Sequence, residues 1–428
     1  MISIEELHSK FLECSGACTD TRNITEGSMF FALKGPNFNA NAFAEEAIAK
    51  GSRYAVVDDP SVIKSDRMLL VDDVLKALQD LGRQHRRQFD IPVIGITGSN
   101  GKTTTKELIH AVFSADRETL ATSGNLNNHI GVPLTLLRLK KEHKIAIIEM
   151  GANKPGDIKE LSEIAEPTHG LITNIGKAHL EGFGGPEGVV RTKTELYRNI
   201  KQSGGKLFVN ADDPLLMDKS NGIDRITYGT KSANIIGTDR SDGPFLSFTW
   251  THDGRTSRVV NTKLIGAYNL ANALAAVCIG KTSRVTDDVM ADALDAYSPA
   301  NNRSQFTDTG RNHLVMDAYN ANPSSMKVAL ENFAAMKSDR QKLAILGDML
   351  ELGDASRSEH EAVIELTDRL DLKTLFVGPI FHDIAGETRA VKDANVAMER
   401  LRLLAPMDHL ILIKGSRGIK LESVVPVL

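Results

Sequence analysis

The run Val93-Ile94-Gly95-Ile96-Thr97-Gly98-Ser99-Asn100-Gly101-Lys102-Thr103-Thr104-Thr105 constrains the fold more than any other stretch of the chain. A mostly apolar strand pattern enters a glycine-rich turn, and the turn ends in Gly-Lys-Thr where a helical pattern begins. A strand, turn and helix so joined aim backbone N–H groups and the positive end of a helix at one point, which is how a chain cradles phosphate. Lys102 can then reach β- and γ-phosphates, and the Thr103 hydroxyl can face Mg²⁺. The usual spacing would need glycine where Ile96 stands, so the turn must rest on Gly98 and Gly101, with Ser99, Asn100 and Thr104 completing it. The plainer reading is a glycine turn beside a surface lysine; the strand before and the helix after favour a nucleotide.

At 428 residues the chain exceeds one ordinary core and predicts about three domains. With 41% hydrophobic and 25% charged residues it has globular composition, and runs such as Ile145-Ala146-Ile147-Ile148 are strand-length, so no membrane span is expected. The N-terminus lacks a basic segment followed by an apolar block, which points to a cytoplasmic location. Cys14, Cys18 and Cys278 give an odd count without paired metal spacing and read as reduced thiols. A net charge of −4 argues against a polyanionic partner, and nucleic acid is not expected.

The chain divides into residues 1–85, 86–297 and 298–428. The first segment reads as a small α/β module ending in a helix marked by Val74, Leu78, Leu81 and His85, whose Arg83–Arg87 cluster is expected to be a solvated face. In the second, strands and helices alternate, which favours a largely parallel sheet with the phosphate loop at the strands' carboxyl ends; Ile235 to Val260 reads as an antiparallel insertion. The third repeats the alternation, with strands at His313–Ala318, Leu343–Leu346, Thr374–Val377 and His409–Ile413 and helices starting near Pro323 and Ser356. The expected architecture is α/β in three domains: a central P-loop-type, mostly parallel sheet and a C-terminal Rossmann-like domain.

The order of further motifs gives the chain a family. Ile148-Glu149-Met150-Gly151, Asn174-Ile175-Gly176-Lys177-Ala178-His179-Leu180, Arg191-Thr192-Lys193-Thr194-Glu195, Ala267-Tyr268-Asn269-Leu270-Ala271-Asn272 and Asn302-Arg303-Ser304 follow the phosphate loop, and together they resemble the Mur ligases over nearly the full length. Those ATP-dependent enzymes add amino acids to a peptidoglycan precursor, and their phosphate loop lacks the early glycine too. Gly124-Asn125-Leu126-Asn127-Asn128-His129, Asp317-Ala318-Tyr319-Asn320-Ala321-Asn322-Pro323 and Leu346-Gly347-Asp348-Met349-Leu350-Glu351 look like the member that acts last in the cytoplasm. The resemblance implies that D-alanyl-D-alanine is joined to UDP-N-acetylmuramoyl-tripeptide through an acyl phosphate, by a monomer using ATP and Mg²⁺. Another Mur ligase, a folylpolyglutamate synthase and a non-catalytic P-loop switch are the alternatives; the first segment fits a uridine-nucleotide domain, which folylpolyglutamate synthases lack.

The resemblance also distributes roles. Glu149, His179 and Lys193 join Thr103 at the metal ions, Lys193 as a carbamate, with Lys102, His179 and Lys193 as the catalytic set. Asn269 and Asn272 fall to the adenine side of ATP, Arg303 to phosphate and Asp317 to ribose. Asn125, Asn127 and Asn128 fall to the sugar-peptide, Asp20, Thr21, Arg22 and Lys34 to the uridine diphosphate, and Asn320, Asn322, Asp348 and Arg417 to the dipeptide. On residue type alone, Glu149 could start a helix, His179 could be structural, Lys193 could be a surface lysine, Asn269 and Asn272 could pack or cap a helix, Asn125, Asn127 and Asn128 could form a turn, and Asn320, Asn322, Asp348 and Arg417 could be loop-formers. With Lys102 and Asp317 on different domains, the site is expected to assemble when the third domain closes.

Overall fold

The computed structural model describes residues 1–299, 303 and 305–428, so Asn302 and Ser304 of the quoted motif lie outside the described residues. Three sheets define three lobes. The N-terminal lobe holds a four-stranded sheet in the order Ala17–Cys18, Met29–Phe31, Tyr54–Val57, Met68–Leu70, paired in parallel throughout. Helix Ile4–Phe11, started by a reciprocal Ser3–Glu6 capping box, covers it together with helix Val74–Arg86, and Leu7, Phe11, Leu78 and Leu81 close the apolar core.

Helix Val74–Arg86 leads into the central lobe, and here the solvated basic face expected at Arg83–Arg87 is corrected at Arg86, while Arg87 is exposed as expected. Arg86 is buried and donates to the Phe89 carbonyl at 2.7 Å, while Arg87 Nε donates to both carboxylate oxygens of Glu166 at 3.0 Å. The helix is wedged between two lobes at Arg86, whose guanidinium finds carbonyl partners instead of water, while Arg83 and Arg87 keep much of their side chains in solvent.

The central sheet has ten strands. Every pairing from Thr119–Ala121 through Ile145–Glu149, Val93–Thr97, His169–Ile172, Lys206–Asn210 and Arg225–Gly229 to Ile235–Asp239 is parallel. Val93–Thr97 is buried along its length because helices cover both faces, which explains its continuous apolar character. Ile235–Asp239 is the strand at which the direction changes: it continues the parallel sheet on one side and pairs antiparallel with Phe245–His252 on the other, and Arg255–Thr256 and Val260–Ile265 complete the antiparallel edge that the sequence led one to expect from Ile235. Val93–Thr97 lies between strands reached in opposite directions along the sheet, so a crevice opens at its carboxyl end.

The C-terminal lobe is a six-stranded sheet in the order Gln305–Asp308, His313–Asp317, His409–Lys414, Gln341–Gly347, Thr374–Val377, Ala390–Val391, parallel except for the first strand. Helices Pro323–Ala335 and Ser356–Arg369 start where the sequence places them. No helix among the described residues is long and apolar enough to cross a membrane.

Candidate active site

Two glycines shape the phosphate loop. Gly98 has φ 143° and Gly101 φ 79°, and a Cβ on either would collide, at 2.0 Å from Thr173 Oγ1 and 2.7 Å from Asn272 Oδ1. The loop is laced to its neighbours: Thr173 Oγ1 donates to the Asn100 carbonyl at 2.6 Å, Asn174 Oδ1 accepts from Asn100 N at 3.0 Å, and the Ser99 N–H donates to Asn174 O at 2.9 Å. Helix Lys102–Ser114 begins at once, presenting its free N–H groups to the crevice. Lys102 Nζ donates to the Gly98 carbonyl at 2.7 Å, and burial holds its pKa below the ordinary lysine value, opposed by Glu149 and reinforced by the Arg303 cation.

Glu149 ends its strand inside the lobe, 1% exposed. Its Oε1 accepts from Thr103 Oγ1 at 3.1 Å and from Asn127 Nδ2 at 2.8 Å; its Oε2 is buried with no hydrogen-bond partner. His179 adopts a left-handed conformation (φ 52°) ahead of helix Leu180–Phe183, and its ring contacts the Glu351 carboxylate of the C-terminal lobe. Lys193 is 2% exposed with Nζ 5.5 Å from the Phe183 ring centroid. Burial first, then the nearby Lys102 cation, drive its pKa well below the lysine value, with Asp157 and Glu195 pulling the other way.

A cavity of about 930 Å³ joins Lys102, Thr103, Glu149 and His179 to the C-terminal lobe, and Lys193 is not part of its lining. Ser99 to Thr104, Glu149 and His179 line one wall, with the Asn125, Asn127 and Asn128 loop beside them. Asn269 and Asn272 form a further stretch: Asn272 Nδ2 donates to Asn269 Oδ1 at 2.8 Å, and Thr105 Oγ1 ties Asn272 to the phosphate-loop helix at 3.0 Å. Arg303, Asp317 and Asn320 line the opposite wall, where the Arg303 guanidinium stacks 3.6 Å from the Tyr319 ring centroid. Asn322 caps helix Pro323–Ala335 just behind that wall and reaches across, donating from Nδ2 to Asn100 Oδ1 at 2.7 Å.

Other candidates are not brought to the cavity. Both Asp348 oxygens accept backbone N–H groups, from Ile380 and Phe381 at 2.9 Å, so this fully buried carboxylate caps the start of helix Pro379–Ala385. Burial raises its pKa, and His360, whose Nε2 accepts from Met349 N, lies 3.8 Å away. Arg417 sits behind Tyr319, 5.6 Å from its ring centroid. Arg22 pairs with Asp20 beside Thr21, Lys34 pairs with Asp58 at 2.8 Å, and all four residues expected for uridine diphosphate stay in the N-terminal lobe outside the cavity lining. Lys414 went unrecognised in the sequence: it lines the cavity, is 2% exposed and holds Asp317 Oδ2 at 2.5 Å. A lysine closing an otherwise apolar strand was the available signal.

A phosphate loop facing a second nucleotide-type sheet across one cavity defines the class, and comparison with known proteins agrees. Residues 96–280 match the Mur ligase middle domain and residues 302–417 the Mur ligase, glutamate ligase domain. The chain belongs to the Mur ligase family. More particularly, it is similar end to end to the UDP-N-acetylmuramoyl-tripeptide--D-alanyl-D-alanine ligase of Bacillus subtilis (strain 168), with 33% identity covering 96% of this chain and 92% of that one. The crystal structure of MurF from Acinetobacter baumannii superposes with a TM-score of 0.89 at 32% identity, covering 99% and 98% of the two chains. MurF ligase from Thermotoga maritima in complex with ADP gives a TM-score of 0.86 at 27% identity, covering 97% of each.

Proposed function

We propose that this chain joins D-alanyl-D-alanine to UDP-N-acetylmuramoyl-tripeptide at the expense of ATP, in the cytoplasm, completing the pentapeptide precursor of peptidoglycan. The observation that carries the reading is the single cavity in which Lys102, Glu149 and His179 of one lobe meet Arg303 and Asp317 of another. The carboxylate of the tripeptide is a poor electrophile, so it attacks the γ-phosphorus of ATP to give an acyl phosphate and ADP; the dipeptide amine then attacks the acyl carbon and phosphate leaves. Such transfer depends on alignment and on neutralising charge at the phosphoryl oxygens, which is the work of Lys102, Arg303 and the loop N–H groups. Asn269 and Asn272 take the adenine side, and Asp317, held by Lys414, takes the ribose. In this reading Asn125, Asn127 and Asn128 hydrogen-bond the sugar-peptide, and Asn320 the dipeptide.

Mg²⁺ fits the residues present. A buried carboxylate oxygen without a partner beside a threonine hydroxyl is a donor pair for a hard cation, and Glu149 with Thr103 would hold it, His179 adding a ligand. The bound ion supplies neutralisation of phosphate charge. In this reading Lys193 carries a carbamate, supported by the burial that disfavours its ammonium form, since only a neutral amine combines with carbon dioxide. In this reading the chain acts as a monomer.

Phosphate release from ATP should require both UDP-N-acetylmuramoyl-tripeptide and D-alanyl-D-alanine, and oxygen label in the tripeptide carboxylate should appear in the released phosphate. Release with a single free amino acid, or label that stays behind, would overturn the assignment. Lys102→Met should lower the rate about 10³-fold, by analogy with the removal of a cation from a phosphoryl-transfer site. Lys193→Ala should be inactive while folded, and short carboxylic acids should restore part of its rate; near-full activity without them would end the carbamate reading.

A further inference from the structure

Lys106 is the second buried lysine of the phosphate-loop helix, 1% exposed and absent from the cavity lining. Buried ammonium groups are costly unless hydrogen-bonded, and an apolar side chain would fill this place without that cost. What the ammonium does here is specific: Nζ donates to the Thr122 carbonyl at 2.7 Å and meets Glu107 Oε1 at 2.7 Å. Thr122 is the residue at which the strand Thr119–Ala121 gives way to the asparagine-bearing loop. Its N–H donates to Ile147 O at 3.0 Å, and its Oγ1 accepts from Glu149 N at 3.0 Å.

The contacts close on themselves. Thr103 lies three residues before Lys106 on the same helix face. Thr103 Oγ1 touches Glu149 Oε1, Glu149 N touches Thr122 Oγ1, and the Thr122 carbonyl returns to Lys106. The loop leaving Thr122 brings Asn127, which holds the same Glu149 oxygen and whose carbonyl accepts from Gly151 N at 2.7 Å.

We propose that Lys106 is a positioning residue that sets the spacing of Thr103 and Glu149 at the metal end of the cavity by bracing the phosphate-loop helix against Thr122. The proposal rests on the reading of those two residues as Mg²⁺ holders. Outer partners that orient ligands typically change metal affinity or activity by about 10- to 100-fold.

The test is a titration of Mn²⁺, followed by its electron paramagnetic resonance signal, in the presence of a non-hydrolysable ATP analogue. Lys106→Met should weaken Mn²⁺ about tenfold, and the Mg²⁺ concentration for half-maximal activity should rise in step, while the KM for D-alanyl-D-alanine stays put. Lys106→Arg, which retains a donor, should recover most of the affinity. Mn²⁺ binding by Lys106→Met equal to that of the unmodified chain, whatever its melting temperature, would overturn the brace. If Lys106→Met does not fold, Lys106→Gln, which removes the charge and shortens the side chain that reaches the Thr122 carbonyl, must show the same weakening; wild-type affinity there overturns it equally. Failure of the unmodified chain to bind Mn²⁺ would instead overturn the metal reading itself.

Discussion

The central lobe is joined to its two neighbours in opposite ways. Toward the N-terminal lobe the joint is buried: Leu137 shares an apolar cluster with Leu7 and Leu78, His85 Nε2 meets the Leu139 carbonyl at 3.0 Å, and Gln79 reaches Glu160 at 2.7 Å. Toward the C-terminal lobe apolar packing also crosses, with Phe245 edge-on to Phe306 at 5.4 Å between ring centroids and Leu180 and Phe183 sharing a buried cluster with Met349 and Leu352, but the described contacts at the cavity are polar: Lys177 with Glu359 at 2.5 Å, Lys177 N with Ser324 Oγ at 2.9 Å, Asn322 with Asn100, and His179 with Glu351. Exposing apolar surface costs free energy in proportion to area, whereas hydrogen bonds and exposed ion pairs exchange with water at little net cost. The first joint thus builds one rigid body from two lobes. The second adds polar contacts at the cavity rim, which are the contacts that the closure expected of the third domain would make and break.

The largest effect is expected where the rigid joint is packed tightest. Gly82 faces helix Gly131–Leu136 so closely that a Cβ would stand 2.8 Å from Pro133 Cβ and 2.9 Å from its Cα. Alanine would gain about 1 kcal/mol of helix propensity there, and overpacking typically costs about 1–3 kcal/mol. Valine gains less and intrudes more, so Gly82→Val should lose about 2–3 kcal/mol, read from urea midpoints. An unchanged midpoint would mean that the joint yields.

How much of this was legible beforehand depends on how local the deciding contact is. The phosphate loop, its flanking strand and the starts of helices Pro323–Ala335 and Ser356–Arg369 follow from patterns a few residues long, and they fall where those patterns put them. Asp348 shows the limit. Its motif offers a carboxylate at a strand end, but whether that carboxylate turns to the cavity or to the next turn is settled by Gly378, whose missing side chain leaves room 2.4 Å from Asp348 Cγ. Lys414 is the converse, a residue whose function appears only when Asp317, distant in sequence, is laid beside it in the sheet. Arg86 departs from the solvated face expected of Arg83–Arg87 for the same reason: helical periodicity predicts a helix, not what will pack on both of its sides.

A second effect on the rigid joint depends on pH. His85 Nε2 must carry a proton to donate to Leu139 O, so its Nδ1 accepts from His8 Nε2 at 3.1 Å and both rings are neutral. Burial lowers both pKa values below the ordinary 6.5, and the rings of Phe11 and Phe89 pack beside His85. As pH falls through the ordinary histidine range the unfolded chain takes up protons that the folded pair resists, so stability drops on the acid side and is level above it. The melting temperature should fall between about pH 7 and about pH 5.5 in the unmodified chain, and less steeply in His8→Leu. Parallel slopes would remove the pair from the account.

The smallest effect belongs to the joint at the cavity. Lys177 and Glu359 pair across lobes with side chains 53% and 15% exposed, a setting in which such pairs contribute about 0.2–1 kcal/mol. Because the pair exists only when the lobes meet, it should leave chain-wide stability untouched and register in turnover. A cycle of Lys177→Met, Glu359→Gln and the double variant should give a coupling of about 0.5 kcal/mol in kcat/KM for ATP. About 1 M salt shortens the screening length to about 3 Å and should erase that coupling. Coupling that appears instead in urea midpoints would mean the second joint is as permanent as the first, and the contrast between the two would be lost.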